Sequence, residues 1–164
     1  MEHIMIDIET AATSLDATIL SIGAVSQDGR ELYVKVNPNQ PGRSVCIDTM
    51  RWWANQDKAV RQEAFSGKVS LQHALAGLST FLPAHKPFLL WAKPPQFDIG
   101  ILENAYSQHE IVVPWKFRQV ACLRTVARLI PVDQVSNDRP HSALSDAKSQ
   151  METLIAILLK ASSL

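Results

Sequence analysis

Two carboxylates, Asp7 and Glu9, stand within the apolar N-terminal run IMIDIET. If this run forms a strand, residues two apart point to the same face, so the two acids project side by side. Such a pair repels unless a cation or protons lie between the carboxylates, and burial adds a desolvation cost. The pair indicates either a metal site or a strand that ends near residue 8 and leaves both acids in solvent.

A third acid, Asp98, lies in the segment QFDIGILENA. It shares helical spacing with Ile101, Leu102 and Ala105, which form the apolar stripe of a predicted helix. A carboxylate on that stripe requires a partner, because an unpaired buried charge is costly. Either a basic side chain such as Lys93 or a metal ion would meet this requirement.

A fourth acid, Asp146, lies in RPHSALSDAKSQ beside the apolar face of the predicted last helix, and His141 precedes it by five residues. A histidine at a helix entrance is, on its own, more often an ordinary surface residue. Together, however, three segments each place acids on faces that should be buried. Ligation by oxygen alone suits Mg²⁺ or Mn²⁺ rather than zinc, and four carboxylates can hold two such ions about 4 Å apart for phosphodiester cleavage.

The elements that would position these acids follow from periodicity and turn residues. Apolar, β-branched runs predict an opening three-stranded antiparallel meander, whose last two strands are joined by a hairpin at Asp28-Gly29. Strands are predicted at residues 3–8, 18–26, 31–37 and 87–92, and helices at 48–56, at 69–82, from Gln96, at 121–130 and after His141. Strands followed by helices interleaved with at least one more strand indicate an α/β fold with a mixed sheet.

The composition limits both the class of protein and the kind of partner. The chain has 164 residues, 46% of them hydrophobic and 20% charged, which is typical of one globular domain spanning residues 1–164. With 16 basic and 16 acidic residues the formal net charge is zero, so any nucleic-acid site must be local, small or metal-assisted. Cys46 and Cys122 show neither metal-ligand spacing nor a disulfide framework, and no secretory signal or transmembrane run is found, so we expect a cytoplasmic protein.

The ordered motifs DIET, FD and HSALSDA resemble those of the DEDDh 3′–5′ exonucleases, a family with an RNase H-like fold that includes proofreading exonucleases, RNase T and oligoribonuclease. Ser142 stands where the sister DEDDy group would carry tyrosine, four residues before the last acid, so the histidine class is implied. The segment 47–65, IDTMRWWANQDKAVRQEAF, is also similar to the small single-domain 3′–5′ exoribonuclease-like proteins of bacteria and phages. One departure is the stretch 92–95, AKPP, where family members often carry glycine, asparagine or another small polar residue.

The resemblance implies a metal-dependent 3′–5′ exonuclease that hydrolyses single-stranded nucleic acid, with RNA favoured over DNA, to nucleoside 5′-monophosphates. Asp7, Glu9 and Asp146 would bind two Mg²⁺ or Mn²⁺ ions directly. Asp98 would bind directly or through water, and His141 would act as the general base. The resemblance also implies a homodimer, with an interface formed by the tryptophan region or by the helix at 69–82.

Substrate contacts are open to more than one interpretation. Thr10, next to the first two acids, could contact the terminal nucleotide. Trp52 and Trp53 are adjacent, so on a helix they point about 100° apart, and one can pack in the core while the other stacks on a base. Both could equally be core or interface residues. Candidate phosphate contacts, each of which could also be an ordinary solvated charge, are Arg118, Arg124, Arg128, Arg139 and Lys148.

Three alternatives to an independent exonuclease are kept. The chain could be a non-catalytic RNase H-like module that binds nucleic acid or a partner, although that would require the loss of a metal acid and none is missing. It could be a proofreading subunit that acts only when held by a polymerase. It could also be a metal phosphatase or nucleotide hydrolase with a similar acid cluster, which would act on mononucleotides but not on oligomers.

Overall fold

In the computed structural model, which describes residues 1–133, 135–137 and 139–163, a five-stranded sheet forms the centre of the protein. The strands are β1 Glu2–Thr10, β2 Ile19–Ser26, β3 Glu31–Lys35, β4 Phe88–Ala92 and β5 Val120–Cys122. Their order in the sheet is β3-β2-β1-β4-β5. The α-helices are α1 Ile47–Ala54, α2 Lys58–Ala64, α3 Leu71–Phe81, α4 Pro95–Gln108, α5 Leu123–Leu129 and α6 Ala143–Ala161. Among these described residues, no helix combines the length and the apolar character needed to cross a bilayer.

The strand pairing confirms the predicted α/β fold with a mixed sheet. β1 and β2 are antiparallel, as are β2 and β3, so the chain opens with the expected meander. The turn after β2 contains Gly29, whose positive φ of 89° suits glycine in a tight hairpin. β4 and β5 then add parallel strands on the other side of β1.

The two faces of the sheet are covered by different helices, and β1 contributes to both. Its even-numbered residues from Ile4 to Ile8 pack in a cluster with residues of α3 and α4. Met5 instead packs in a second cluster with residues of α5 and α6. Because side chains alternate along a strand, Asp7 and Glu9 lie on the same face as Met5, the face that α6 covers.

The end of β1 and the start of α5 differ from the sequence-based expectations. β1 continues to Thr10 rather than ending near residue 8, so both N-terminal acids belong to the strand. The helix predicted at 121–130 is wrong in its first residues, which belong to β5, and α5 begins only at Leu123. A strand this short shows no alternation in the sequence, and its parallel pairing with β4 decides its conformation.

The segment similar to small exoribonuclease-like proteins contains two helices rather than one. α1 ends at Ala54, and α2 begins after Asp57, whose side chain accepts the backbone N–H of Ala59 at 2.8 Å as an N-cap. The predicted helix at 48–56 therefore covers only α1, and α2 was not expected.

Candidate active site

Three carboxylates meet above the carboxyl-terminal half of β1. Asp7 and Glu9 come from this strand and Asp146 from the first turns of α6. One oxygen from each side chain lies within 4.8 Å of the corresponding oxygens of the other two, a grouping that could hold a metal ion. The structure therefore brings together acids that are more than 130 residues apart in the sequence.

Gly23 allows α6 to carry Asp146 to this position. It lies on β2 directly beside Asp7, in the antiparallel register of the two strands. A Cβ atom built at Gly23 would lie 2.2 Å from the carbonyl carbon of Ala143, the first residue of α6. Only a residue without a side chain permits this approach of the helix backbone to the sheet.

Asp98 joins the group from the first turn of α4 and is only 3% exposed. Its Oδ1 atom accepts the backbone N–H of Ile8 at 3.1 Å. The pairing of β1 with β4 ends at Met5, so this N–H has no strand partner on that side. The carboxylate thus gives this N–H of β1 a hydrogen-bond partner. No ion pair between Asp98 and the Lys93 side chain occurs within the described residues.

Burial raises the pKa of every acid in the group, and repulsion by neighbouring carboxylates adds to this rise for Asp7 and Glu9. Burial, with the nearby charges of Asp146 and Asp98, raises the pKa of Glu9 to about 8. The pKa of Asp7 is raised well above its ordinary value by burial and by its three acidic neighbours. Burial raises the pKa of Asp98 to about 7 against the opposing backbone hydrogen bonds, and it also raises the pKa of Asp146.

No lysine or arginine forms a salt bridge with any of these four acids in the part of the chain that the structure describes. A divalent cation would relieve the repulsion that helps to raise the pKa values of Asp7 and Glu9, and an all-oxygen donor set suits Mg²⁺ or Mn²⁺. The residues present therefore fit a divalent metal site.

Two amide side chains hold the carboxylates in place. Gln150 donates from Nε2 to Asp7 Oδ1 at 2.8 Å, and Asn137 donates from Nδ2 to Asp146 Oδ1 at 2.7 Å. The other amide atom, Gln150 Oε1, is buried and has no hydrogen-bond partner among the described residues. Gln150 follows Asp146 by one helical turn, a spacing that could have revealed it from the sequence. Asn137 lies in an irregular loop, where no sequence periodicity points to it.

His141 is held beside the acids by its own backbone. Its φ of 65° is unusual for a residue other than glycine, and its N–H donates to Asp146 Oδ2 at 2.9 Å. The imidazole packs edge-to-face on Trp52, with ring centroids 4.7 Å apart. Two residues earlier, Arg139 forms a 2.8 Å ion pair with Glu63 of α2, which ties this loop to the helical segment. The missed helix α2 therefore supports the histidine loop.

The family model described as the 3′-5′ exoribonuclease Rv2179c-like domain matches residues 2–158. The chain belongs to this family. It is a 3′–5′ exonuclease, and its resemblance to the DEDDh exonucleases and to their small exoribonuclease-like branch is confirmed. A non-catalytic module is therefore set aside. Among curated proteins, no sequence matches this chain significantly.

Solved structures with the same fold support the RNase H-like architecture of this Rv2179c-like protein. The nuclease domain of 3′hExo, a DEDDh family member bound to rAMP, is similar with a TM-score of 0.66 and 12% identity, over 96% of this chain and 92% of that one. E. coli exonuclease I in a zinc-bound complex with single-stranded DNA has a TM-score of 0.71 and 13% identity, over 98% of this chain but only 40% of that one. S. pombe Pop2p in its Mg²⁺- and Mn²⁺-bound form has a TM-score of 0.60 and 12% identity, over 94% and 82%.

A cavity of about 530 Å³, which we call the Thr10 cavity, adjoins the acids of this Rv2179c-like site. Its lining includes Glu9, Thr10, Trp52 and Phe97, and Trp52 is 41% exposed. Trp53, by contrast, is 1% exposed, and its indole N–H donates to the Thr10 carbonyl oxygen at 2.9 Å. The structure thus places Thr10 and Trp52 at the cavity and Trp53 in the core behind it. Phe97 was missed in the sequence, although it directly precedes Asp98.

Proposed function

We propose that this 3′–5′ exonuclease removes nucleotides one at a time from single-stranded RNA and releases nucleoside 5′-monophosphates with the aid of two divalent cations. The observation that carries the proposal is the group of four buried or half-buried acids with raised pKa values and no cationic side chain paired to them among the described residues. A fold gains no stability from such an arrangement, so the acids are best explained as ligands.

Asp7, Glu9 and Asp146 would hold the ions directly, and Asp98 would hold one directly or through water. Mg²⁺ or Mn²⁺ bound there would supply positive charge beside the scissile phosphate and would make a nucleophilic water more acidic. Gln150 orients Asp7 through one carboxylate oxygen, Oδ1. Asp146 is oriented through both of its oxygens, because Oδ1 accepts from Asn137 and Oδ2 accepts from the backbone N–H of His141.

His141 is proposed as the general base that takes the proton of the attacking water. An imidazole suits this role because its ordinary pKa lies near neutrality. The hydrogen bond from its backbone to Asp146 fixes the loop relative to the acids. The contact with Trp52 restricts the ring itself, so both the position and the orientation of the base are defined.

The Thr10 cavity is proposed as the site of the terminal nucleoside. Trp52 is partly exposed and lines the cavity, so a base could stack on it, and Thr10 lines the cavity beside Glu9. Trp53 would act indirectly, because its indole N–H holds the Thr10 carbonyl group. RNA is proposed over DNA because the matching family is described as exoribonuclease, while the similar structures include one complex with rAMP and one with single-stranded DNA.

The test uses two single-stranded oligomers of matched sequence, one RNA and one DNA, labelled at the 5′ end. Each is incubated with the protein and Mg²⁺ or Mn²⁺, with EDTA and the Asp7→Ala variant as controls, and the products are resolved on a denaturing gel. A metal-dependent ladder that shortens from the 3′ end faster on RNA is the expected result. A faster DNA ladder would overturn the sugar preference. Cleavage of mononucleotides alone would favour a nucleotide hydrolase, and activity only with a polymerase present would favour a dependent subunit.

A homodimer and a cytoplasmic location stay predictions. The leucines of the segment 69–82 are buried in the core, including Leu75 and Leu78 at 0% exposure, so they are not free to form an interface. The region around Trp52 retains exposed apolar side chains, of which Ile47 is 66% exposed. Light scattering on the purified protein would measure the oligomeric state.

A further inference from the structure

A second cavity adjoins the acids at a different place from the Thr10 cavity. It has a volume of about 430 Å³, and we call it the Arg124 cavity. Asp146 and Gln150, which belong to the acid group, form part of its wall. Three cationic side chains also line it, from Lys93 after β4 and from Arg124 and Arg128 of α5. The departure from the family pattern at 92–95 therefore places a lysine in this wall.

The cations of the Arg124 cavity differ in their interaction partners from the other basic residues that the sequence offers as phosphate contacts. Lys148 pairs with Glu31 at 2.6 Å and Arg139 pairs with Glu63 at 2.8 Å. The guanidinium of Arg118 lies over the ring of Phe117. For the three cavity cations, no salt bridge is found in the described ranges. Among the residues found to line the cavity, these three positive charges face one carboxylate, that of Asp146, which leaves a net positive charge to attract an anion.

The Arg124 cavity is also close to the centre of the reaction. Besides sharing Asp146, it brings Arg124 near enough to Asp98 for the guanidinium charge to oppose the rise in the pKa of that acid. An anion bound by Arg124 would therefore lie beside the scissile phosphate rather than at a remote surface.

The two cavities differ in charge, and so do the two parts of the substrate on either side of the scissile 3′-terminal bond. The terminal nucleoside carries no phosphate beyond the scissile one, whereas the rest of the strand carries one phosphate for each further nucleotide. None of the residues found to line the Thr10 cavity is lysine or arginine, and Glu9 and Asp48 are acidic. The Arg124 cavity has three cations. Charge complementarity assigns the nucleoside to the first cavity and the retained strand to the second.

We propose that the Arg124 cavity binds the first phosphate on the 5′ side of the scissile phosphate and so makes that phosphate a requirement for efficient cleavage. This inference rests on the proposed 3′–5′ cleavage of a single strand. Arg124 and Arg128 contact the phosphate oxygens, Lys93 adds charge, and the apolar part of the wall, which includes Leu123 and Val132, faces the adjoining nucleoside. The preferred substrates are then oligomers that carry at least one phosphate upstream of the bond that is cut.

The experiment removes one charge from the substrate and one from the protein. Two trinucleotides of the proposed substrate sugar are compared, one with ordinary phosphodiesters and one with an uncharged methylphosphonate at the linkage 5′ to the scissile bond. Each is given to the wild type, to Arg124→Ala and to the control Arg118→Ala, with Mg²⁺ present. Loss of a charge-assisted contact corresponds to about a 10- to 100-fold fall in kcat/KM.

For the wild type and Arg118→Ala, the methylphosphonate should cause that fall. For Arg124→Ala, kcat/KM on the ordinary substrate should already be lower by a similar factor. The methylphosphonate should lower it little further, because this variant does not contact the phosphate of either substrate. Equal sensitivity of the wild type and Arg124→Ala to the methylphosphonate would overturn the proposal.

A binding measurement separates this inference from the proposed function. The anisotropy of fluorescein-labelled forms of both trinucleotides is titrated with each protein in EDTA, where no cleavage occurs. Arg124→Ala should weaken binding of the ordinary strand about 10-fold and leave binding of the methylphosphonate strand unchanged. If the wild type fails to cleave but shows this pattern, the proposed function fails and the phosphate site stands. If it cleaves without this pattern, the phosphate site fails.

Discussion

Replacement of Gly23 by alanine perturbs the site through a single methyl group. The added Cβ would lie 2.2 Å from the backbone carbonyl carbon of Ala143, and two further backbone atoms of α6 would lie within 2.4 Å. Because carbon atoms pack best at about 3.5 Å, the start of α6 must move by about 1.3 Å or the strand must bend. Asp146, in the same first turn of the helix, would move with it away from Asp7.

A shift of this size exceeds what the chemistry tolerates. Metal ligands need distances within about 0.2 Å of their optimum, and a misplacement of about 1 Å commonly costs about 100-fold in rate. We therefore expect Gly23→Ala to lower kcat about 100-fold. Overpacking should also lower the free energy of unfolding by about 1–3 kcal/mol, which corresponds to about 2–4 °C in Tm for each kcal/mol.

The assay combines hydrolysis of a 5′-labelled oligonucleotide with thermal unfolding in EDTA and in Mg²⁺. Gly77→Ala is the matched control, because a Cβ atom at this helical glycine meets nothing within 4 Å and alanine favours the helix. It should leave activity unchanged and raise stability slightly. Wild-type activity and stability in Gly23→Ala would refute the close approach of α6 to β2 as the feature that positions Asp146.

Three further predictions concern the residues around the acids. His141→Ala should lower activity about 10²- to 10⁴-fold, while Tm and Mn²⁺ binding stay unchanged. The control is His109→Ala, because His109 is an exposed histidine. Wild-type turnover by His141→Ala would exclude His141 as the general base. In EDTA, Tm should fall as pH rises from about 5 to about 8, because Glu9, with a pKa of about 8 against an ordinary 4.5, binds more protons folded than unfolded over this range. Added Mg²⁺ should then raise Tm more at the higher pH, and a Tm that increases with pH in EDTA would contradict this assignment. Trp52→Ala should remove the quenching of tryptophan fluorescence by a short oligonucleotide in Ca²⁺. Trp53→Ala should instead lower the free energy of unfolding by about 3–5 kcal/mol. Similar effects of both variants would contradict the placement of Trp52 at the cavity and of Trp53 in the core.

Local sequence patterns were sufficient to predict most of the sheet and to single out the four acids as carboxylates on faces that should be buried. Alternation along β1 places Asp7 and Glu9 on one face, and helical spacing places Asp98 and Asp146 on faces that turn inward; the structure brings all four into one region. The meander and the mixed sheet followed from β-branched runs and the hairpin at Asp28-Gly29.

Features that depend on long-range packing could not be predicted in this way. β5 is too short to show a period and is a strand because β4 lies beside it. The role of Gly23 depends on the approach of a helix 120 residues later in the chain. Asn137 acts on Asp146 from an irregular loop, and the distinction between Trp52 and Trp53 depends on which face of α1 meets the core.

The most direct test of the acid group as a divalent metal site is a calorimetric titration with Mn²⁺, without nucleic acid, on the wild type and on Asp7→Asn. The wild type should bind two ions per chain and unfold at a higher temperature when they are bound. Asp7→Asn should lose most of this binding, and its metal-free form should be more stable than the metal-free wild type, because one repelling buried carboxylate is gone. Absence of Mn²⁺ binding to the folded wild type, or equal binding by Asp7→Asn, would contradict the metal site.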